Sequence, residues 1–169
     1  MGWKCLLILV LFFTIGQAQD DTTLVRLGQT VPEFSVTTLD RKTIDMQDCR
    51  GKIVLINFFA TWCGPCLQEL PRIESEIWQK YKKDDLVVVA IGREHTAAQL
   101  DTFRQEKKFT LPIAPDPERK IYSLFASIYV PRIFLIDRDG SIIYFSIGYD
   151  KAEFAKLTEL IDTKTRPEK

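Results

Sequence analysis

Apolar positions in this 169-residue chain fall into two kinds of run. Ile53-Val54-Leu55-Ile56-Asn57-Phe58-Phe59 and Leu86-Val87-Val88-Val89-Ala90-Ile91 are nearly continuous and rich in β-branched or aromatic residues, the pattern of strands covered on both faces. Between them Leu67, Leu70, Ile73, Ile77, Trp78 and Tyr81 recur at helical spacing, which predicts a helix over 64–81. Pro71 lies inside it and predicts a bend, because its ring removes one backbone donor. Thr96 is a candidate N-cap for a helix over 97–107. A proline-rich connection follows at 111–117, then a helix over 118–126. Ile133-Phe134-Leu135-Ile136 and Ile142-Ile143-Tyr144-Phe145 flank Asp137-Arg138-Asp139-Gly140, a strong hairpin signal. Phe154, Leu157, Leu160 and Ile161 predict a closing helix over 151–162. Upstream, residues 31–46 alternate weakly around the turn Asp40-Arg41-Lys42 and read as a small β-hairpin. The order ββ–β–α–β–α–α–β–β–α predicts one α/β domain, a mixed central sheet with helices on both faces.

The first 18 residues have a different character. Lys4 precedes the 11-residue apolar stretch 5–15, which is too short to span a bilayer comfortably, and Gly16-Gln17-Ala18 supplies small residues for cleavage. This predicts a signal peptide over 1–18 and export, with an uncleaved N-terminal anchor as the alternative. Residues 19–30 are polar and read as a flexible start, 31–163 as the domain, and 164–169 as a frayed end.

Composition narrows the chemistry. Lysine plus arginine and aspartate plus glutamate both number 23, so no basic excess points to nucleic acid. A single histidine, His95, excludes a multi-histidine metal site. Of four cysteines, Cys5 lies in the leader, which leaves Cys49, Cys63 and Cys66. An exported domain with one adjacent pair is not a disulfide-stapled scaffold, and a CxxC loop closes too little chain to stabilise much. Cys63-Gly64-Pro65-Cys66 instead stands where a predicted strand ends and a helix begins. Unpaired N–H groups at a helix start favour a thiolate at Cys63, the nucleophile of disulfide exchange.

Trp62-Cys63-Gly64-Pro65-Cys66 resembles the thioredoxin superfamily. The longer run Asn57-Phe58-Phe59-Ala60-Thr61-Trp62-Cys63-Gly64-Pro65-Cys66, followed by Glu69 and Pro71, resembles more narrowly the exported TlpA/ResA-type thiol-disulfide oxidoreductases. So do Val31-Pro32-Glu33-Phe34, Arg50-Gly51-Lys52 and Pro131 with Phe134-Leu135-Ile136-Asp137. The resemblance covers 31–162. It implies a thioredoxin-like fold with an N-terminal β-hairpin and a helix-containing insertion. It also implies secretion across the inner membrane and periplasmic exchange of disulfides with partner proteins. Position by position, it places the nucleophile on Cys63, the resolving thiol on Cys66 and a cis-proline on Pro131, which would present the backbone of Val130 to an extended substrate. Glu69, one turn beyond Cys66, is the candidate proton acceptor, because Asn57 stands where thioredoxins carry an acidic residue, with a solvated helix residue as the plainer alternative. Trp62 is read as a substrate-facing wall, with core packing as the plainer alternative. The chain departs from the family at Arg132, where threonine is usual, and at Ser127 and Tyr129, which replace valine and glycine. Arg132 is read either as selecting an acidic partner or as solvated, Cys49 as a half-buried small hydrophobe with a third redox thiol as the sharper alternative, and His95 as a surface residue with contact to the site as the lesser alternative.

These expectations combine into a Cys63–Cys66 dithiol/disulfide cycle on protein substrates bearing disulfides or thiols. No metal, nucleotide or other cofactor is implied. Gly-Pro between the cysteines matches thioredoxin, at about −270 mV, and not the oxidant DsbA, at about −120 mV, so the sequence predicts a reductant, and the resemblance implies that a membrane-bound electron donor feeds it. The alternatives are a disulfide-forming oxidant, a peroxiredoxin-type thiol peroxidase, a non-catalytic binding module and a Cu(I)-transfer protein. The peroxidase reading lacks its Thr-x-x-Cys spacing, since Thr61 stands two residues before Cys63, not three.

Overall fold

The computed structural model describes residues 22–82 and 86–166. The predicted leader at 1–18 lies outside the described residues. Two short antiparallel strands, β1 (Ser35–Thr37) and β2 (Thr43–Asp45), form the N-terminal hairpin. The main sheet has five strands: β3 (Ile53–Phe59), β4 (Leu86–Arg93), β5 (Ile113–Asp116), β6 (Arg132–Ile136) and β7 (Ile142–Ile147). Their order is β5-β4-β3-β6-β7, parallel across β3–β4–β5 and antiparallel across β3–β6–β7. The predicted mixed α/β architecture with its hairpin is therefore present.

β3 is central, and every one of its residues is buried. Its alternating side chains feed two different cores. Val54, Ile56 and Phe58 join Val36, Met46, Cys49, Tyr122 and Phe125 on the hairpin side. Ile53 and Leu55 meet Ile73, Ile77, Phe154 and Leu157 on the other side. Phe59 continues that second face into a third cluster with Cys66, Leu70, Leu100 and Phe103. Three helices cover that face: α1 (Gly64–Arg72) with its continuation, α3 (Ala97–Lys107) and α5 (Lys151–Thr165). Gly92 on β4 is needed for this packing, since a Cβ there would stand 2.6 Å from Leu100 Cδ2.

Local chemistry modifies several predicted elements. The bend expected at Pro71 takes the form of a change in hydrogen-bond pattern: α1 passes into π-helix over Ile73–Trp78 and then into α2 (Gln79–Tyr81). Pro71 cannot donate a backbone bond, and its own carbonyl accepts the Ser75 hydroxyl at 2.9 Å. The connection at 111–117 contains β5, which tolerates Pro115 because it lies at the sheet edge. The helix expected over 118–126 shrinks to α4 (Tyr122–Phe125). Asp116 fixes its entry by accepting from the Tyr122 N–H at 2.8 Å. The capping box at Thr96 and Gln99 forms as α3 requires. α5 runs beyond the expected domain end to Thr165, where the Lys164 carbonyl accepts from Arg138 Nη1 at 2.8 Å.

Residues 22–30, read from the sequence as part of a flexible start, are tied into the domain. Leu24 N–H donates to Phe125 O at 2.9 Å, Thr23 bridges Ala126, and Val25 is buried. Arg132 holds this seam from inside. Neither sequence reading of Arg132 stands, because its side chain is fully buried. Its Nη1 donates to Thr23 Oγ1 at 2.7 Å, its Nη2 to Thr22 Oγ1 at 2.5 Å, and Nε and Nη2 to Ile128 O at 3.1 and 2.8 Å. Burying a guanidinium is tolerable when its donors are used in this way. Replacing Arg132 by Met keeps the bulk and removes the bonds, so Arg132→Met should lose about 3 kcal/mol in urea unfolding. Amide exchange should speed up at 22–25 and 125–128 before it does elsewhere. Uniform exchange across the domain would contradict a local seam.

Candidate active site

The site is built at the C-terminal end of β3, where the chain turns into α1. Cys63 is the N-cap of α1 in extended conformation, with Pro65 in the first turn, where its missing N–H has no intrahelical acceptor to serve. The Cys66 N–H donates to Cys63 Sγ at 3.2 Å. The cap that ordinarily falls to an oxygen is thus made by sulfur, and the donor is one that a thiolate would engage more strongly than a thiol. Cys63 and Cys66 form a disulfide with Cα atoms 5.2 Å apart. Cys66 is completely enclosed, while Cys63 retains a small accessible surface.

A second segment closes over the pair. The Val130–Pro131 peptide is cis, and the Val130 carbonyl oxygen lies 3.5 Å from Cys63 Sγ. The neighbouring carbonyls are occupied: Tyr129 O accepts from the Tyr122 hydroxyl at 2.6 Å, and Pro131 O from Gly148 N–H at 2.9 Å. Trp62 is 67% exposed beside Cys63, so the core-packing alternative falls.

Behind the sulfurs stands a carboxyl group almost out of water. Glu69 is 2% exposed, and Asn57 Nδ2 donates to its Oε2 at 2.7 Å. Burial pushes the Glu69 carboxyl up to about 8, against the opposing pull of the Asn57 bond. Asn57 faces α1 because it shares its side of β3 with Ile53, Leu55 and Phe59. Its Oδ1 is buried without a partner among the described residues. Turning the amide over would let that oxygen accept from a protonated Glu69, so Asn57 can serve either state of the carboxyl. Glu69 also lines a cleft of about 290 Å³ between β6, β7 and α5, together with Tyr144, Ser146, Asp150 and Glu153. The cleft connects the carboxyl to polar groups of β7 and the start of α5.

His95 was expected at the surface. It is instead buried and bonded at both ring nitrogens. Nδ1 lies 2.7 Å from Arg93 O, so it carries the proton, and Nε2 lies 2.8 Å from Thr61 Oγ1 and 3.3 Å from Thr61 N. The parallel pairing explains the meeting: Phe59 is opposite Gly92, so the chain leaving β4 runs beside the chain leaving β3 toward Cys63. The same exit places Arg93 5.9 Å from the Trp62 ring and 5.1 Å from the Tyr122 ring. Cys49 is buried in the hairpin-side core, its thiol pushed up by burial, and belongs to a different cluster from Cys63.

The raised Glu69 carboxyl makes stability depend on pH. In the unfolded chain Glu69 ionises near the ordinary carboxyl value of 4.5, and in the folded protein near 8, so the folded state holds the extra proton between these values. The stability contributed by the neutral buried carboxyl is fully present below about 4.5 and lost as pH rises toward 8. Glu69→Gln should therefore gain stability relative to the parent as pH rises through this window. Parallel denaturation series at several pH values measure it, and superimposable pH profiles would refute the shifted carboxyl.

Comparison with known proteins agrees with the dithiol geometry. The AhpC/TSA family model matches residues 27–145. The thiol-disulfide oxidoreductase ResA of Bacillus cereus is 33% identical over 129 residues, covering 76% of this chain and 74% of that protein. The thioredoxin-like protein YneN of Bacillus subtilis is 35% identical, with 73% of each covered. Among solved structures, a Bacteroides thetaiotaomicron protein assigned as a protein disulfide isomerase superposes with a TM-score of 0.83 at 33% identity, covering 86% of this chain and 94% of its own. StoA of Bacillus subtilis superposes with a TM-score of 0.62 at 25% identity, covering 76% and 97%. With the Cys63–Cys66 disulfide at a helix start beside Pro131, these matches place the chain in the AhpC/TSA family, as a ResA/TlpA-like thiol-disulfide oxidoreductase of the thioredoxin superfamily.

Proposed function

We propose that this oxidoreductase is exported to the periplasm and reduces disulfides in partner proteins, with Cys63 as nucleophile and Cys66 as resolving thiol. The observation that carries the assignment of roles is the asymmetry of the pair. Cys63 reaches the surface and takes the helix N–H, whereas Cys66 is enclosed. In the reduced protein the Cys63 thiolate attacks one sulfur of the partner's disulfide. That S–S bond breaks, the partner's other sulfur leaves as a thiolate, and a mixed disulfide forms. Cys66 gives up its proton and attacks Cys63 Sγ, which expels the partner's second thiolate and closes Cys63–Cys66. The partner has gained two electrons and the dithiol has lost two.

Glu69 is the acceptor for the Cys66 proton in this reading. A carboxyl near 8 lies close to the ordinary thiol range, so the transfer is nearly balanced in free energy. The cleft beside Glu69 is the route by which that proton leaves. Val130 and Pro131 bind the partner as a short extended pairing next to the sulfur, and Trp62 forms one wall. A dithiol donor must re-reduce the pair, and a membrane-bound carrier is the donor that periplasmic work requires. Gly64 and Pro65 between the cysteines, with no cation inside the CxxC, support a reducing potential.

The AhpC/TSA match gives a peroxidase reading its one specific support. Against it, the Thr61 hydroxyl and amide both converge on His95, and Cys63 is already paired with a resolving thiol one turn away.

Three measurements decide between these readings. The midpoint potential of the pair, titrated by tryptophan fluorescence in thiol buffers, should fall near the thioredoxin value of about −270 mV, and a value near about −120 mV would make the protein an oxidant. Cys66→Ser should accumulate a mixed disulfide through Cys63, while Cys63→Ser should abolish turnover. Rapid consumption of hydrogen peroxide by the reduced protein would favour the peroxidase instead.

A further inference from the structure

Tyr129 occupies a backbone conformation that its side chain opposes. Its φ is 72°, in the left-handed region that glycine adopts freely and a bulky residue adopts at a cost. Burial of the ring does not offset this, because Tyr129 is 59% exposed. Two buried side chains hold the loop in this shape from inside. The Tyr122 hydroxyl donates to the Tyr129 carbonyl at 2.6 Å, and Arg132 donates to the Ile128 carbonyl through Nε and Nη2. The backbone at 128–129 is thereby pinned with its side chains outward. Strain that is overdetermined by its surroundings concentrates at sites of recognition. Here it sits one residue before Val130, whose carbonyl oxygen is 3.5 Å from Cys63 Sγ. Ile128 is exposed on the same loop, and Trp62 is exposed next to Cys63. Large exposed side chains thus flank Cys63 along both chain segments that form the site, with Arg93 set against the Trp62 ring.

We propose that Tyr129 is a specificity-determining residue, forming with Ile128 and Trp62 an apolar rim that selects partner segments with a large apolar side chain next to the reactive cysteine. The proposal rests on the disulfide-exchange reading above. The occupant is an extended segment of a partner protein paired along Val130. In such a segment the residues flanking the cysteine project away from the sulfur and meet whatever borders it. An aromatic ring offers large contact area for little lost rotamer freedom, which suits a rim that must capture and release.

The test uses three short peptides, each a disulfide-linked dimer, with Phe, Ser or Glu on both sides of the cysteine. Reduced protein is mixed with each, and the single-turnover rate is read from tryptophan fluorescence. The parent protein should favour the Phe peptide over the Ser peptide by about tenfold. Tyr129→Phe should keep that ratio, and Tyr129→Ala should lose most of it. Tyr129→Gly should lose the selectivity as well, yet melt at a higher temperature than the parent, because the left-handed backbone no longer carries a Cβ. Equal rates for the Phe and Ser peptides would overturn the rim while leaving the oxidoreductase reading intact. A preference for the Glu peptide would overturn it in favour of Arg93, which lies beside Trp62. A Tyr129→Gly variant that melts below the parent would show that the ring supports the fold, and would overturn the recognition role. Failure of the parent to reduce any of the peptides would overturn the disulfide-exchange reading and this proposal together.

Discussion

The start of a helix has backbone donors and nothing of its own to give them. In this protein that deficit is met at one point by a sulfur atom. Because Cys63 is the N-cap of α1, its side chain, its backbone direction and its place at the mouth of the site are fixed by one local requirement. The rest of the molecule supports that arrangement. β3 must be buried at the centre of the sheet to deliver Cys63 at its C-terminal end, and its neighbours β4 and β6 bring His95 and Pro131 to the same end. Glu69 and Asn57 then stand one layer below, on the faces of α1 and β3 that look at each other.

The elements with strong periodicity were legible from the chain alone. β3 and β4 announce themselves as apolar runs, the hairpin at 137–140 by its turn residues, and the dithiol by its spacing and flanks. What escaped were features decided by tertiary contact. β5 reads as a loop because Pro115, with Pro112 and Pro117 on either side, masks a strand that survives only through its place at the edge of the sheet. α4 reads longer than it is because Asp116 captures the amides ahead of it and delays its start. The partner of β5 lies in β4, on the far side of α3, and Asp116 stands just ahead of the stretch that reads as the helix.

The site divides along the same line. Cys63, Cys66, Glu69 and Trp62 share one short stretch, and Pro131 is placed by resemblance. The buried roles of His95 and Arg132 were missed because polar residues are expected outside, and only their partners make the interior acceptable. Those partners are remote in sequence: Thr61 for His95, and Thr22, Thr23 and Ile128 for Arg132. A signal for His95 did exist. A parallel pair of strands ending in register must send its exit loops out side by side, so the residues after β4 had to lie near those before Cys63.

The separation of the two faces of β3 has one more consequence. The three cysteines among the described residues admit three ways of forming a single internal bridge, and only one of them is useful to an exchange catalyst. Cys49 is held in the hairpin-side core, with a thiol that burial keeps protonated, while Cys63 and Cys66 sit in the cluster beyond the sheet. The central strand is therefore an insulator as well as a scaffold. It keeps the chain from scrambling into an isomer that would consume its own nucleophile, and lets a third thiol be carried through every turnover as an inert filler of space.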